Sequence, residues 1–173
     1  MERRPLSIYA ARHWVDHAKI EGVSPSIHDL MKRLFDPDAT YFATWVCIYD
    51  VDRPWKGSMI AVHPTTPAAK PLYYAALCGF RSIVEHLNIT RPTDVNAWGG
   101  SYGTPLNVAF GKGEVETALA LLENGANVDA LDCAGGSPLH RAVAVGHRTV
   151  VELLLEHRAD VNVQTGDTSA KWT

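Results

Sequence analysis

The sequence predicts an all-α protein, a short solenoid of helix–turn–helix repeats with an N-terminal helical cap segment. Three segments share one pattern, and their starts at Lys70, Thr104 and Ser137 are 34 and 33 residues apart. That interval is the length of a repeat that holds two short helices and a turn. A helical hairpin of this size can bury its apolar face only against neighbouring copies, so we expect the copies to stack.

Residues 1–62 do not follow the repeat, and we predict that they form a helical cap on it. Apolar residues at helical spacing predict a helix over residues 9–18 and a second helix that starts at Ser24-Pro25. The apolar segment 41–49 is compatible with a strand or a helix. We favour a helix, since the open end of a helical array needs an apolar helix to cover it. Proline-containing loops are predicted at 53–57 and 63–67.

Residues 63–173 are predicted to hold the repeats. In two of them a side-chain oxygen, from Thr104 or Ser137, precedes a Pro-Leu pair, as expected for a capped helix with proline in its first turn. Gly79, Gly113 and Gly146 are predicted to end the first helices in the left-handed conformation. The repeat boundaries are about 70–103, 104–136 and 137–169, followed by a truncated fourth repeat.

Three departures from the repeat pattern lead to further predictions. Arg158 stands where the second repeat has Gly125, which predicts a strained or differently capped helix end. Residues 86–97 replace the usual helix end of the first repeat, so we expect its second helix to be shortened or bent. No polar capping repeat follows residue 163. We therefore expect a fragment of a longer array or a truncated gene product, rather than an array closed by Trp172.

The period, together with TPLNVA at 104–109 and SPLHRA at 137–142, resembles the ankyrin repeat from about Lys70 onwards. The resemblance implies a non-catalytic module, without metal or small-molecule cofactor, that binds a protein partner on the concave surface of turn tips and first helices. Trp98, Tyr102 and Leu131 are the expected main anchors, unless the two aromatic rings fold back onto neighbouring turns. The full set implied by the resemblance is Trp98, Ser101, Tyr102, Leu131, Cys133, Leu77, Lys112, Ala144 and Val145.

The N-terminal segment has a resemblance of its own. Residues 9–52 are similar to the helical segment that precedes the ankyrin array in fungal NACHT–ankyrin proteins, which are receptor-like NTPases. The resemblance implies that the chain is the sensing end of a larger receptor. Residues 111–113 lack the upstream glycine and the Ser/Thr of a phosphate-binding loop, so an NTPase would need a catalytic domain that this sequence does not contain.

A hydrolase is the competing hypothesis, because residues 99–103 fit the G-x-S-x-G pattern with Ser101 as nucleophile. A nucleophile elbow needs a core strand before the serine and a helix directly after it. Here the preceding residues match an inter-repeat turn, and the equivalent turn at 133–136 contains no serine. We therefore interpret these glycines as turn residues.

The sequence gives little support for zinc binding, histidine catalysis, nucleic-acid binding or a membrane span. His13 and His17 lie one helical turn apart, but Trp14 replaces the glutamate of a zinc-protease motif. His140 is interpreted as structural, since Tyr73 and Asn107 take its place in the other repeats. The net charge of −3 and scattered basic residues do not favour nucleic acid, and segment 41–49 is too short to cross a membrane. Three cysteines without a CxxC, and no secretory signal, predict an intracellular, cytoplasmic protein.

Overall fold

The structure is a computed structural model, which describes Val15, residues 25–36, Asp38, residues 40–48 and residues 69–163. Throughout these residues the regular structure is helical, which confirms the all-α prediction. No helix in this part of the chain has the length and apolarity needed to cross a bilayer. The helices are α1 (Pro25–Leu34), α2 (Thr40–Ile48), α3 (Pro71–Leu77), α4 (Arg81–Thr90), a 3₁₀ helix (Pro92–Asn96), α5 (Pro105–Gly111), α6 (Val115–Glu123), α7 (Pro138–Val145) and α8 (Arg148–Glu156).

Helices α3/α4, α5/α6 and α7/α8 form three hairpins in the predicted register. The first helices stack in the order α3, α5, α7, and the second helices α4 and α6 pack side by side. The predicted caps are present: Thr104 Oγ1 accepts the N–H of residue 107 at 3.2 Å, and Ser137 Oγ accepts the N–H of residue 140 at 3.3 Å. Gly113, which ends α5, has φ +73°, as the pattern predicts.

An aromatic cluster joins the N-terminal segment to the first repeat. Phe35 is fully buried, and its ring centroid lies 5.7 Å from that of Trp45 and 6.0 Å from that of Phe80. Phe42 meets Tyr74 of α3 edge-on at 5.4 Å. Segment 40–48 is therefore a helix that covers the open end of the array, as predicted.

Several predictions fall on residues that the structure does not describe. Val15 is half-buried and packs against the core, but the rest of the helix predicted at 9–18 lies outside the described residues. The same holds for His13 and His17, for the predicted loops between residues 49 and 68, and for residues 164–173 with Trp172.

The prediction that the second helix of the first repeat is shortened or bent was wrong about its length. Helix α4 has ten residues, one more than α6 or α8. No glycine ends it; instead Arg91 N donates to the carbonyl of residue 87 at 2.7 Å, and Thr90 Oγ1 donates to that of residue 86 at 3.0 Å. The chain then turns through the 3₁₀ helix.

The strained end predicted at Arg158 is present. This residue has φ +63°, and it is the one non-glycine residue with positive φ among the described residues. Ala159 N then donates to the carbonyl of Leu154 at 2.9 Å, which matches the bond from Ala126 N to Leu121 after Gly125. The arginine thus adopts the glycine conformation to keep the same helix end, at a steric cost that glycine does not carry.

Side-chain hydrogen bonds fix the spacing between consecutive repeats. Asn96 Oδ1 accepts the N–H of Asn127 at 2.8 Å, and its Nδ2 donates to the carbonyl of Gly125 at 3.1 Å. One repeat further on, Asp129 Oδ1 accepts the N–H of Asp160 at 2.9 Å. These bonds hold the turn tips in line, so the first helices that follow them present one continuous face.

Candidate functional site

A groove of about 390 Å³ runs between α5 and α7 and the turns that precede them. It lies on the first-helix face of the second and third repeats, where Ser101, Tyr102, Cys133 and Val145 of the predicted surface line it. Apolar side chains form much of its wall. They are Phe110, Pro138, Ala142, Val145 and Val150.

The other predicted surface residues lie beside the groove rather than in its lining. Trp98 is 62% exposed, and Lys112 and Ala144 are also exposed, whereas Leu131 is half-buried. Leu77 is only 5% exposed and packs in the core, which corrects the expectation that it belongs to the accessible surface. Helix α3, which carries Leu77, packs against α4 of its own repeat and α5 of the next.

The glycines at 99–103 have a packing explanation. Gly100 has φ +70°, and a Cβ atom there would lie 2.2 Å from Cζ of the Tyr73 ring. The Tyr73 hydroxyl accepts the N–H of Tyr102 at 3.2 Å, and Gly99 N donates to the carbonyl of Gly103 at 2.7 Å. The turn is thus built to pass closely over the Tyr73 ring.

Ser101 does not sit in a nucleophile elbow. A 3₁₀ helix and a turn precede it within the described residues, where an elbow requires a strand. Helix α5 begins only at Pro105, after Thr104 has capped it, so the serine is exposed in a turn rather than at a strand-to-helix junction.

The two predicted aromatic anchors both touch glycines. The Trp98 ring lies over Gly103, where a Cβ atom would be 2.9 Å from Cη2, yet most of the side chain stays exposed. Tyr102 is half-buried, and a Cβ atom at Gly111 would lie 2.5 Å from its Cε1. Lys112 Nζ lies 5.7 Å from the centroid of the Tyr102 ring. The Tyr102 ring therefore packs against the end of α5 and forms one wall of the groove.

A buried carboxylate organises the opposite turn. Asp132 Oδ1 accepts the N–H groups of Ala134 and Gly136 at 2.8 and 2.9 Å, and Oδ2 accepts Nε of Arg141 at 2.5 Å. Burial would raise the pKa of the Asp132 carboxyl, but the hydrogen bonds from Arg141 and the two backbone groups outweigh it and hold the pKa below its ordinary value. The same side-chain bond raises the pKa of Arg141, whose guanidinium stays charged.

The position of His140 serves structure in all three repeats. Asn107 Nδ2 donates to the carbonyl of Ala130 in the turn before α7 at 2.9 Å, and the Tyr73 hydroxyl accepts the N–H of Tyr102 in the turn before α5. His140 Nδ1 lies 2.9 Å from Ser137 Oγ within its own repeat. In the described part of the chain, no three His, Cys, Asp or Glu side chains are grouped closely enough to hold a metal ion.

Arg141 and Asp132 were not predicted as site residues. Arg141 occupies the variable position after the histidine in SPLHRA, where a pattern search assigns no role. The available signal was a charged side chain on a first helix nine residues after an aspartate in the turn, and that spacing alone does not show that the two side chains meet.

Comparisons with known proteins agree with the repeat register. A family model described as ankyrin repeats (3 copies) matches residues 70–165. The azaphilone pigments biosynthesis cluster protein L of Monascus ruber is 34% identical over 134 residues, which are 72% of this chain and 28% of that protein. Rabankyrin-5 of Homo sapiens is 41% identical over 64 residues, 37% of this chain and 5% of that protein.

A third relative, the B-cell lymphoma 3 protein homolog of Mus musculus, is 48% identical over 62 residues, which are 35% of this chain and 14% of that protein. The chain thus spans less than a third of the length of each of these relatives. The similarity does not bear on the remainder of those larger proteins.

Proposed function

Because the chain belongs to the ankyrin-repeat family, we propose that it is a non-catalytic recognition module that binds a protein partner in the groove between α5 and α7. Ankyrin repeats generally mediate protein–protein interaction. The partner would contact the turn tips at 98–103 and 131–135 and the first helices that follow them. The predicted surface, without Leu77, forms the contact region.

The observation that carries this proposal is the groove itself, because it combines apolar walls with side chains that the fold does not bury. Trp98, in the turn that also holds the lining residues Ser101 and Tyr102, is exposed, and so is the lining residue Val145. Large aromatic side chains in such positions are frequent anchors of protein interfaces. Neither exposed side chain is needed to close the core of its own repeat.

The test compares partner binding by the chain and by a Trp98→Ala/Tyr102→Ala double variant. A partner is first recovered from the native cell with the unmodified chain, and its dissociation constant is then measured with each purified variant. We expect the double variant to bind about 30-fold or more weakly, since even one interface hot spot contributes about 2 kcal/mol or more. Ile89→Ala serves as the matched control, because Ile89 is an exposed apolar residue on the second helix α4.

Thermal unfolding of each variant separates a lost contact from a lost fold, since Tyr102 also packs on Gly111. An unchanged dissociation constant in the folded double variant would remove this surface from consideration. Equal weakening by Ile89→Ala would place the interface on the second helices instead.

The context of the module is a proposal as well. The similarity of residues 9–52 to the segment before the array of fungal NACHT–ankyrin proteins supports a place at the sensing end of a larger intracellular receptor. Sequencing of the gene upstream of Met1 tests the receptor context: an open reading frame with a phosphate-binding loop supports it, and a stop codon in frame directly before Met1 contradicts it.

A further inference from the structure

Arg141 is the exposed member of the ion pair that lines the groove. Its side chain is 56% exposed, whereas that of Asp132 is only 7% exposed. A ligand in the groove therefore meets the guanidinium rather than the carboxylate of this pair. Among the described residues that line the groove, Asp132 is the one carboxylate.

Asp132 leaves part of the guanidinium available for a ligand. It accepts one hydrogen bond from Arg141, through Nε. An arginine side chain has five N–H donors in a rigid fork, so the four on the two terminal nitrogens remain, and within the described residues they donate no hydrogen bond. Because the hydrogen bond from Nε to Asp132 already restrains the guanidinium, binding of a second group costs little further side-chain conformational entropy.

Apolar residues line the same groove, and a second cation lies over Tyr102, another of its lining side chains. Val145 on the following turn of α7 and Phe110 of α5 line the same groove. At the rim, Lys112 Nζ is held over the Tyr102 ring. A ligand in the groove thus meets a planar, bidentate donor and an ammonium group next to apolar surface.

From this arrangement we propose that the groove selects an extended partner segment in which a carboxylate side chain adjoins an apolar one, and that Arg141 binds the carboxylate. The proposal rests on the proposed function and names the chemistry of its partner. Guanidinium and carboxylate pair through two parallel N–H···O bonds, which gives specificity in direction as well as attraction. Lys112 adds a charge of the same sign, so the complementary segment is acidic.

The test uses two immobilised libraries of twelve-residue peptides, one with glutamate and one with glutamine at the central position, with identical degenerate flanks. The full chain is applied to both, and the best glutamate peptide is measured in solution by fluorescence anisotropy beside its glutamine twin. We expect the glutamate peptide to bind about tenfold more tightly, as one charge-assisted bond contributes about that factor.

The variant Arg141→Gln is expected to bind the glutamate peptide about tenfold more weakly and to bind both peptides equally. Arg141→Lys keeps the charge but not the fork, and we expect intermediate affinity. The matched control is Arg148→Gln, which removes the same charge from an exposed arginine that pairs with Glu152 on α8; its affinities should stay within about twofold of the unmodified chain.

Circular dichroism melting checks the fold of each variant. If Arg141→Gln does not fold, two measurements still test carboxylate recognition. They are the affinities of the unmodified chain for the two peptides and the affinity of Arg141→Lys for the glutamate peptide. Equal binding of the two peptides, a preference that survives Arg141→Gln, or no binding from either library would each overturn the proposal.

Failure of this proposal can be told apart from failure of the proposed function. If Arg141→Gln leaves the affinity for the native partner unchanged while Trp98→Ala/Tyr102→Ala lowers it, carboxylate recognition is refuted and the groove remains the interface. If neither variant lowers that affinity, both are refuted.

Discussion

Replacing Gly100 with alanine should destabilise the protein far more than an ordinary glycine-to-alanine change. The residue has φ +70°, and an L-residue in this region costs about 1–2 kcal/mol. The new Cβ atom would also lie 2.2 Å from Cζ of Tyr73, a ring that is almost completely buried and held in the core. Displacing such a side chain costs about 1–3 kcal/mol more, so we expect a total of about 2–5 kcal/mol.

Gly113→Ala is the matched control for this experiment. Gly113 has nearly the same φ, +73°, but a Cβ atom there would meet nothing within 4 Å. Its replacement should therefore cost only the backbone strain, about 1–2 kcal/mol. Both free energies of unfolding come from urea titration followed by circular dichroism. Equal losses in the two variants would refute the reasoning that Tyr73 dictates the glycine of this turn.

Four further predictions follow from the same contacts. Leu154→Ala should cost about 2–5 kcal/mol in urea unfolding because the residue is fully buried, whereas the exposed Leu155→Ala should cost less than about 1 kcal/mol; equal losses would contradict the register. Asn88 is 4% exposed, and its side-chain amide finds no partner in the described part of the chain, so Asn88→Leu should raise the unfolding free energy by about 1–3 kcal/mol, and a loss would show an unseen partner. Because the pKa of Asp132 is lowered in the folded protein, its ionised carboxylate stabilises the fold fully above the unfolded pKa of about 3.9, and this stabilisation is lost as the pH falls through the folded pKa. The difference in unfolding free energy between the unmodified chain and Asp132→Asn should therefore narrow below about pH 4. A difference that widens there would contradict this prediction. Ser101→Ala should change the free energy of unfolding by less than about 0.5 kcal/mol. An esterase activity of the unmodified chain that this substitution abolishes would restore the hydrolase hypothesis.

The repeat hairpins could be predicted from the sequence because their signals are local. A capping hydroxyl, a Pro-Leu pair and a glycine at the helix end act within one repeat, and the interval between copies then fixes the register. The helix at 40–48 was predicted by the physical need to cover an apolar end. These inferences use spacing along the chain, which the sequence contains.

The side-chain arrangement of the groove could not be predicted in the same way. Its geometry depends on pairs that are distant in sequence, such as Tyr73 with Gly100, or that need a side-chain direction, such as Asp132 with Arg141. Leu77 was misplaced for a related reason: its repeat position is exposed in principle, but neighbouring elements cover it here. The length of α4 was misjudged because a missing glycine allows a helix to continue as readily as it disrupts one.

The most direct test of partner recognition in the groove is hydrogen exchange of the full chain, measured with and without the partner recovered by affinity purification. Slower exchange in residues 99–111 and 132–147 on binding, with α4 and α6 unchanged, is the result that we predict. Protection confined to the second helices, with residues 99–111 exchanging as in the unbound chain, would contradict the proposed function.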